Sequence, residues 1–464
     1  MNLETSAVWT LLEAPWLVNP TANGQRVSLV TDAALLIDPT GSIHSVGQRE
    51  AVRKAWNHVL SRNAGAATCD EVRLNDHVLL PGLVNAHTHA AMTLLRGLGD
   101  DLPLDRWLGE CIWPAEASLV EQNFVDAGSR LAAAEMLLGG TTCCADMYFF
   151  PEAAGRAFAR MGLRAQLAMP VLDFPSSYAA DADGYLSANF AARDSLANEP
   201  LLSWGLGPHA PYTVTDATYR RVLAFASELD LPIHTHLQET SREVADSEAE
   251  HGVSPTLRLA RLGITSARLA AAHGVHLTDV DRQALATAGA SVIHCPSSNL
   301  KLASGLADLP ALLRAGVNVA LGTDGAASNN RLDMFEEMRL AALLAKAVGR
   351  DAAYPSAAQA LALATVNGAR ALGLDSVCGA LDVGKQADVI AVRVSEPSGV
   401  PLFDPVSHLV YVASRADVTD VWVAGRRRVD GGRLVADAAD ALAQCAGFIA
   451  QHTERARRLV QPAA

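Results

Sequence analysis

Two histidines, His87 and His89, stand one residue apart near the end of the apolar run LLPGLVNAHTHAAMTLLRG, residues 79–97. On an extended strand, residues i and i+2 face the same side, so both imidazoles can reach one point. A neutral imidazole nitrogen is a natural ligand for a divalent cation, with Zn–N bonds of ~2.0–2.1 Å. Taken alone, the pair fits two hydrogen-bonded histidines at a strand end equally well. Other residues of similar chemistry follow other apolar runs: His209 in GPHAPYT, His236 and Glu239 in HTHLQE, His273 in AAHGVHL and Asp324 in LGTDGAASNN. These are residue types that hold metals or move protons. One of them at a strand end is ordinary; the same placement on strand after strand is not.

The elements that would carry them repeat. Eight short apolar runs, LVNAHTH, TTCCADMYF, LRAQLAMPVLD, LSWGLGPHAPY, LPIHTHLQE, LAAAHGVHL, ASVIHCPSSN and VNVALGTDG, alternate with helix-sized stretches such as DAGSRLAAAEMLLGG and DATYRRVLAFASEL. Eight β-α units predict an α/β fold of the (β/α)8, TIM-barrel type, in which the C-terminal strand ends open on one face. The flanks read differently. Residues before the barrel are cut into short apolar runs by Asn, Pro and Gly, and strand texture returns after it. The expected organisation is residues 1–76 as the first part of a small β-sandwich domain and 77–375 as the barrel. Residues 376–464 complete the β domain and end in a helix.

Half of the chain is apolar and its net charge is −13, with both signs interspersed. That balance argues against nucleic acid, which wants a basic face. Seven cysteines without a Cys-x-x-Cys pair point to reduced thiols. The start carries acids rather than a basic segment before an apolar one, and no run approaches the ~20 apolar residues of a membrane span. A cytoplasmic protein with no membrane partner is expected; the oligomeric state stays open, a homo-oligomer included.

The segments PGLVNAHTHAAMTLLRGLGDDLPLDRWL, GPHAPYT, HTHLQET, AAHGVHL, PSSNLKL and GTDGAASNN resemble the amidohydrolase superfamily. More narrowly, they resemble the 5′-methylthioadenosine/S-adenosylhomocysteine deaminases and their aminohydrolase relatives, over nearly the whole chain. The resemblance implies His87, His89, His236 and Asp324 as ligands of one divalent metal ion, usually zinc. The fourth strand, LLSWGLGPH, lacks the lysine that could bridge two ions, which favours one. The ligand types admit iron or manganese as well. His234 competes with His236, since HTH recurs there with the same spacing. Alternation puts His234 on the same side, deeper in the barrel, and only His236 stands three before a glutamate in the family's HxxE pattern. His236 is therefore taken as the ligand, and His234, like His77, His276 and His294, as a core histidine.

By the same resemblance the activity is hydrolytic deamination of adenine nucleosides: 5′-methylthioadenosine, adenosine and, further down the order, S-adenosylhomocysteine. A water activated by the cation attacks C6 and ammonia leaves. Asp324 takes the water's proton, Glu239 delivers one to N1, and His273 stabilises the developing oxygen. Glu116, in WPAE, corresponds to a glutamate that binds both ribose hydroxyls. His209 contacts sugar or base, and Trp113 with the stretch DDLPLDRWL forms an apolar wall beside the 5′ group. Met169 falls near a place where some relatives carry an arginine for the amino-acid carboxylate, so an uncharged 5′ group is expected. Less specific readings compete. Glu239 would serve as a helix-start acid, Asp324 as part of an Asp-Gly turn, and Glu116 as a solvated helix acid. The rival functions are a guanine, pterin or triazine hydrolase on the same scaffold, for which Glu116 has no use, and a non-catalytic barrel, which would have no need of the full ligand set.

Overall fold

Leu167, Met169 and Val171 alternate with Ala168 and Pro170 along one short strand, and that alternation, repeated eight times, builds the centre of the molecule. The structure is a computed structural model and describes residues 8–62, 67–266 and 268–460. The first acid of the chain, Glu4, and the last residue of the expected terminal helix, Gln461, lie outside them. Five strands precede the barrel: β1 (Val8–Pro20), β2 (Val27–Ile37), β3 (Ile43–Gln48), β4 (Thr68–Arg73) and β5 (His77–Pro81). Eight form the barrel: β6 (Leu83–Thr88), β7 (Thr141–Asp146), β8 (Arg164–Val171), β9 (Leu202–Pro208), β10 (Ile233–Leu237), β11 (Leu269–His273), β12 (Ser291–His294) and β13 (Asn318–Leu321). Four follow: β14 (Val389–Arg393), β15 (Val418–Val423), β16 (Arg426–Asp430) and β17 (Arg433–Leu434).

The eight barrel strands pair in chain order and in parallel, as the β-α repetition predicts. The first and last are joined beyond the ladder: the Asp324 amide donates to the His87 carbonyl at 3.0 Å and the Thr323 amide to Asn85 Oδ1 at 2.9 Å. Gly322 permits this approach, since a Cβ there would lie 2.8 Å from that of His87. The interior is lined by small side chains, among them Ala86, Cys143, Ala145, Ala270, Cys295 and Ala320, and is stopped at its lower end by Ala369, Ala371 and Leu372. The outward-facing residues pack on the surrounding helices in one large core.

Both flanks build a single mixed sheet in the order β17-β16-β15-β14-β5-β1-β2-β3, with β4 also on β1. The antiparallel pairing of β14 with β5, Ile390 opposite Leu80, joins the two ends of the chain. The sheet encloses its own core, since Leu12, Leu35 and Leu79 share a cluster with Val389 and Trp422. Its other face meets the helix Arg49–Arg62 through Val52, Trp56 and Val59. That helix falls in a region whose apolar runs read as strand. Its sparse i, i+4, i+7 apolar spacing is the helical signal.

Residue 77, the expected start of the barrel, belongs to β5 and hence to the mixed sheet; the passage between the two lies at Gly82. The terminal helical stretch is two helices, Ala436–Ala443 and Ala446–Val460, and these lie against the barrel's first long helix. Arg130 donates to the Ala441 carbonyl at 3.0 Å, and the Phe124 and His452 rings meet edge to face at 4.8 Å. A buried bidentate pair, Arg164 to Asp388 at 2.9 and 3.0 Å, ties β8 to the small sheet. All seven cysteines are free, and no described helix is long and apolar enough to cross a membrane.

Candidate metal centre and active-site cleft

His87, His89, His236, His273 and Asp324 converge at the C-terminal mouth of the barrel. His89 Nε2 lies 3.2 Å from His236 Nε2 and 3.3 Å from Asp324 Oδ1, and His87 Nε2 lies 3.4 Å from the same oxygen. The other ring nitrogens explain why these atoms face inward. His89 Nδ1 bonds the Met147 carbonyl at 2.5 Å, and His236 Nδ1 the His209 carbonyl at 2.7 Å. A carbonyl only accepts, so each Nδ1 carries the hydrogen and each Nε2 presents a lone pair to the centre. His87 Nδ1 meets His234 Nε2 at 2.9 Å instead. His87 Nε2 is fully buried and has no hydrogen-bond partner among the described residues. Imidazole and carboxylate donors clustered around such an orphaned nitrogen fit a divalent cation.

Backbone geometry brings several of these groups in. His236 arrives by simple alternation on β10, two residues after His234. Gln238, His273 and Asp324 adopt left-handed backbone, with φ of 50°, 74° and 59°. Such conformations cost of order 1–3 kcal/mol each and persist where the surroundings hold them. At Gln238 the holder is Glu243, whose carboxylate accepts the Gln238 and Glu239 amides at 2.9 Å each. Asp324 accepts the Ser298 and Ser328 hydroxyls on Oδ2, both at 2.7 Å, leaving Oδ1 turned to the histidines. Burial works against its charge, but His87, His89 and His273 outweigh that and hold it well below the usual carboxylate range.

Glu239 is buried beside His273, with 3.7 Å between Oε2 and Nε2, and accepts the Ser304 hydroxyl at 3.0 Å. Burial raises its pKa. It precedes the helix cap Thr240 and faces the centre, so it is not merely a helix-start acid. His273 Nδ1 donates to Asn299 Oδ1 at 2.9 Å. Burial opposes its protonation, yet Glu239 and Asp324 override this and raise its pKa.

A cleft opens from this centre. His89, His209, His236, Glu239, His273 and Asp324 line its floor; Glu116, Tyr148 and Tyr212 line its walls; Leu104, Trp107, Leu108, Trp113, Leu172 and Phe174 add a wide apolar surface. Trp113 and Phe174 meet edge to face at 6.4 Å. Glu116 is not a solvated acid: it accepts the Tyr148 hydroxyl at 2.7 Å, and removal from bulk water pushes its pKa up to about 7. Met169 is not in the cleft. Alternation on β8 turns it outward with Leu167 and Val171 into the core beneath the helices, fully buried, while Pro170 and Leu172 face the cavity.

Residues 78–428 match the model of the amidohydrolase family. The chain belongs to that family. It is 46% identical over 428 residues to a 5-methylthioadenosine/S-adenosylhomocysteine deaminase of Teredinibacter turnerae, covering 92% of this chain and 93% of the relative. It is 43% identical over 357 residues to a 5′-deoxyadenosine deaminase of Methanothermobacter thermautotrophicus, covering 77% and 83%. Among solved structures it resembles an adenosine deaminase of Xanthomonas campestris with bound zinc, at a TM-score of 0.88 and 43% identity, over 97% of this chain and 98% of that one.

In this amidohydrolase the supporting groups are the ones that residue-by-residue reading passes over: His234 against His87, Tyr148 against Glu116, Glu243 under Glu239, and Ser298, Asn299 and Ser328 around His273 and Asp324. Ser298 and Asn299 stand in PSSNLKL, and Ser328 in GTDGAASNN. The signal for them was those polar clusters directly after barrel strands.

Proposed function

We propose that this amidohydrolase is a metal-dependent hydrolytic deaminase of adenine nucleosides, acting at C6 of the base and releasing ammonia. The observation that carries the reading is the presence of two chemistries in one cleft: an imidazole–carboxylate centre at its floor, and a Tyr148-held Glu116 on its wall suited to a ribose diol. A carboxylate can accept both diol hydrogens, whereas a free guanine, pterin or triazine gives it no such partner. The deaminase names of relatives above 40% identity agree with the reading.

His87, His89, His236 and Asp324 would hold one zinc ion. Such an ion is a Lewis acid that makes water a nucleophile at neutral pH. The residues around it divide the remaining work. Asp324, kept ionised, receives a proton on its carboxylate. Glu239, whose burial favours the neutral carboxyl, donates a hydrogen to N1 of the ring. His273, oriented by Asn299, offers Nε2 to the oxygen that develops at C6. His209 and Trp113 border the sugar and its 5′ substituent.

No lysine or arginine among the described residues lines the cleft, and its outer surface is apolar. An uncharged 5′ group therefore suits it better than the zwitterionic tail of S-adenosylhomocysteine, and Met169, buried in the outer core, has no part in that preference. Seven free thiols suit a reducing compartment, which we take to be the cytoplasm. The test is a deamination screen of zinc-loaded protein with adenosine, 5′-methylthioadenosine, S-adenosylhomocysteine and guanine, followed by purine absorbance and ammonia. We expect adenosine and 5′-methylthioadenosine to react, the latter with kcat/KM about tenfold or more above S-adenosylhomocysteine. Ammonia from guanine alone overturns the reading.

A further inference from the structure

Of the three histidines assigned to the cation, two take their ring orientation from backbone carbonyls and one does not. His87 Nδ1 lies 2.9 Å from His234 Nε2; both rings are buried, with centroids 5.0 Å apart and planes inclined by 33°. Two neutral imidazoles in this contact have two arrangements. In the first, His234 Nε2–H donates to His87 Nδ1. The hydrogen of His87 then sits on Nε2, directed at Asp324 Oδ1 3.4 Å away, and no lone pair remains for a cation. In the second, His87 Nδ1–H donates to His234 Nε2. Nε2 of His87 then presents its lone pair to the centre, and the hydrogen of His234 sits on its own Nδ1. Each ring carries one hydrogen in both arrangements, so the exchange neither takes up nor releases a proton.

The surroundings weigh on the choice. His234 Nδ1 is buried and has no hydrogen-bond partner among the described residues. The second arrangement therefore leaves a buried N–H unsatisfied, and buried donors are costly when unpaired. His89 and His236 carry no such burden, because their carbonyl partners permit one tautomer only.

We propose that His234 is a positioning residue: it accepts the Nδ1 hydrogen of His87 and so commits His87 Nε2 to the cation site. A partner that could also donate makes His87 the one ligand of the centre whose tautomer is switched by occupancy rather than preset. The proposal rests on the reading of His87 as a metal ligand. Loss of an outer partner to a ligating histidine typically weakens metal binding 10- to 100-fold.

The test compares the full chain with His234→Leu, which removes the acceptor, and His234→Gln, whose amide oxygen can accept in its place. Zinc affinity is measured by competition with a chromogenic chelator, and tautomers are read from spectra of histidine-15N-labelled zinc-loaded wild type. We expect H234L to bind zinc about 10- to 100-fold more weakly, H234Q to recover most of that loss, and His87 and His234 both to carry hydrogen on Nδ1. Unchanged affinity in H234L, equal losses in H234L and H234Q, or a His234 that keeps hydrogen on Nε2 with zinc bound overturns the proposal. Should H234L fail to fold, H234Q and the wild-type spectrum decide. A wild type that binds no divalent cation overturns the reading of the centre itself, whereas a wild type that binds as tightly as H234L overturns only the role of His234.

Discussion

The Tyr148 hydroxyl donates to Glu116 Oε1 at 2.7 Å, and this bond fixes the direction of a carboxyl group that stands away from the metal centre in the same cleft. Glu116 is the group assigned to the ribose hydroxyls, so its aim governs binding more than chemistry. Tyr148→Phe should raise KM for adenosine about 2- to 10-fold, the worth of an ordinary hydrogen bond, with kcat nearly unchanged. Glu116→Gln, which replaces an acceptor oxygen by a donor, should raise KM further. Steady-state kinetics checks both, and a fall confined to kcat contradicts the assignment.

Burial places the Glu116 pKa near 7, which makes nucleoside binding sensitive to pH around neutrality. Above about 7 the carboxylate accepts from both hydroxyls; below it, one oxygen carries a hydrogen and an acceptor is lost. KM should therefore rise as pH falls through that value and level off on the alkaline side. E116Q should flatten the profile. A KM that rises with pH instead excludes the carboxylate as the ribose acceptor.

Glu239 is expected to move a proton rather than to bind the cation. Its replacement by Gln preserves shape and removes the acid. Turnover should fall by about 10²- to 10⁴-fold, the usual size of an acid–base contribution, with zinc content at the wild-type level by metal analysis. Equal loss of zinc and activity would make Glu239 a ligand.

The centre joins the first and last barrel strands, so removing its cation should loosen the barrel as well as end turnover. A chelator-treated protein should melt lower than the zinc-loaded form. An ion at one hundred times its Kd adds about 2.7 kcal/mol of stability. Differential scanning calorimetry with zinc added back checks it, and identical melting curves would show that the imidazoles bind nothing tightly.

The barrel was legible because its periodicity is strong: each of the eight apolar runs is a strand, and five of them, β6, β9, β10, β11 and β13, lead into the histidines and carboxylates at the mouth. The helix Arg49–Arg62 was not, since only Val52, Trp56 and Val59 mark its buried face and the neighbouring strands dominate the local pattern. In the site, His89 and His236 follow from spacing, whereas Met169 shows its limit. One residue along β8 separates the cavity from the outer core, and a resemblance in sequence does not resolve a single step of alternation. His234 was placed correctly as deep and inward, but a core position did not reveal a partner for His87. That relation depends on β6 and β10 facing each other across the barrel, which no local pattern encodes.

Glu337 shows how support for the site bears on stability. It is fully buried on the helix Met334–Gly349 and accepts the Ser297 amide at 3.1 Å and the Asn329 side chain at 2.8 Å. It thus ties together the short helix that carries Ser298 and the turn that carries Ser328, the two side-chain donors to Asp324. Burial pushes its pKa from 4.5 up to about 8. A raised carboxyl pKa means that its contribution to stability is whole below 4.5 and is lost as pH climbs to about 8, at up to ~1.4 kcal/mol per pH unit. Asp146 and Glu243, both near 7 through burial, act in the same direction. Glu337→Gln cannot ionise. At pH 5 it should match the wild type or fall slightly below it, having exchanged an acceptor for a donor. By pH 8.5 it should have gained on the wild type by about 1–3 kcal/mol. Urea unfolding at pH 5, 7 and 8.5 measures the difference, and a gap that stays constant with pH would mean that Glu337 is already ionised in the folded protein.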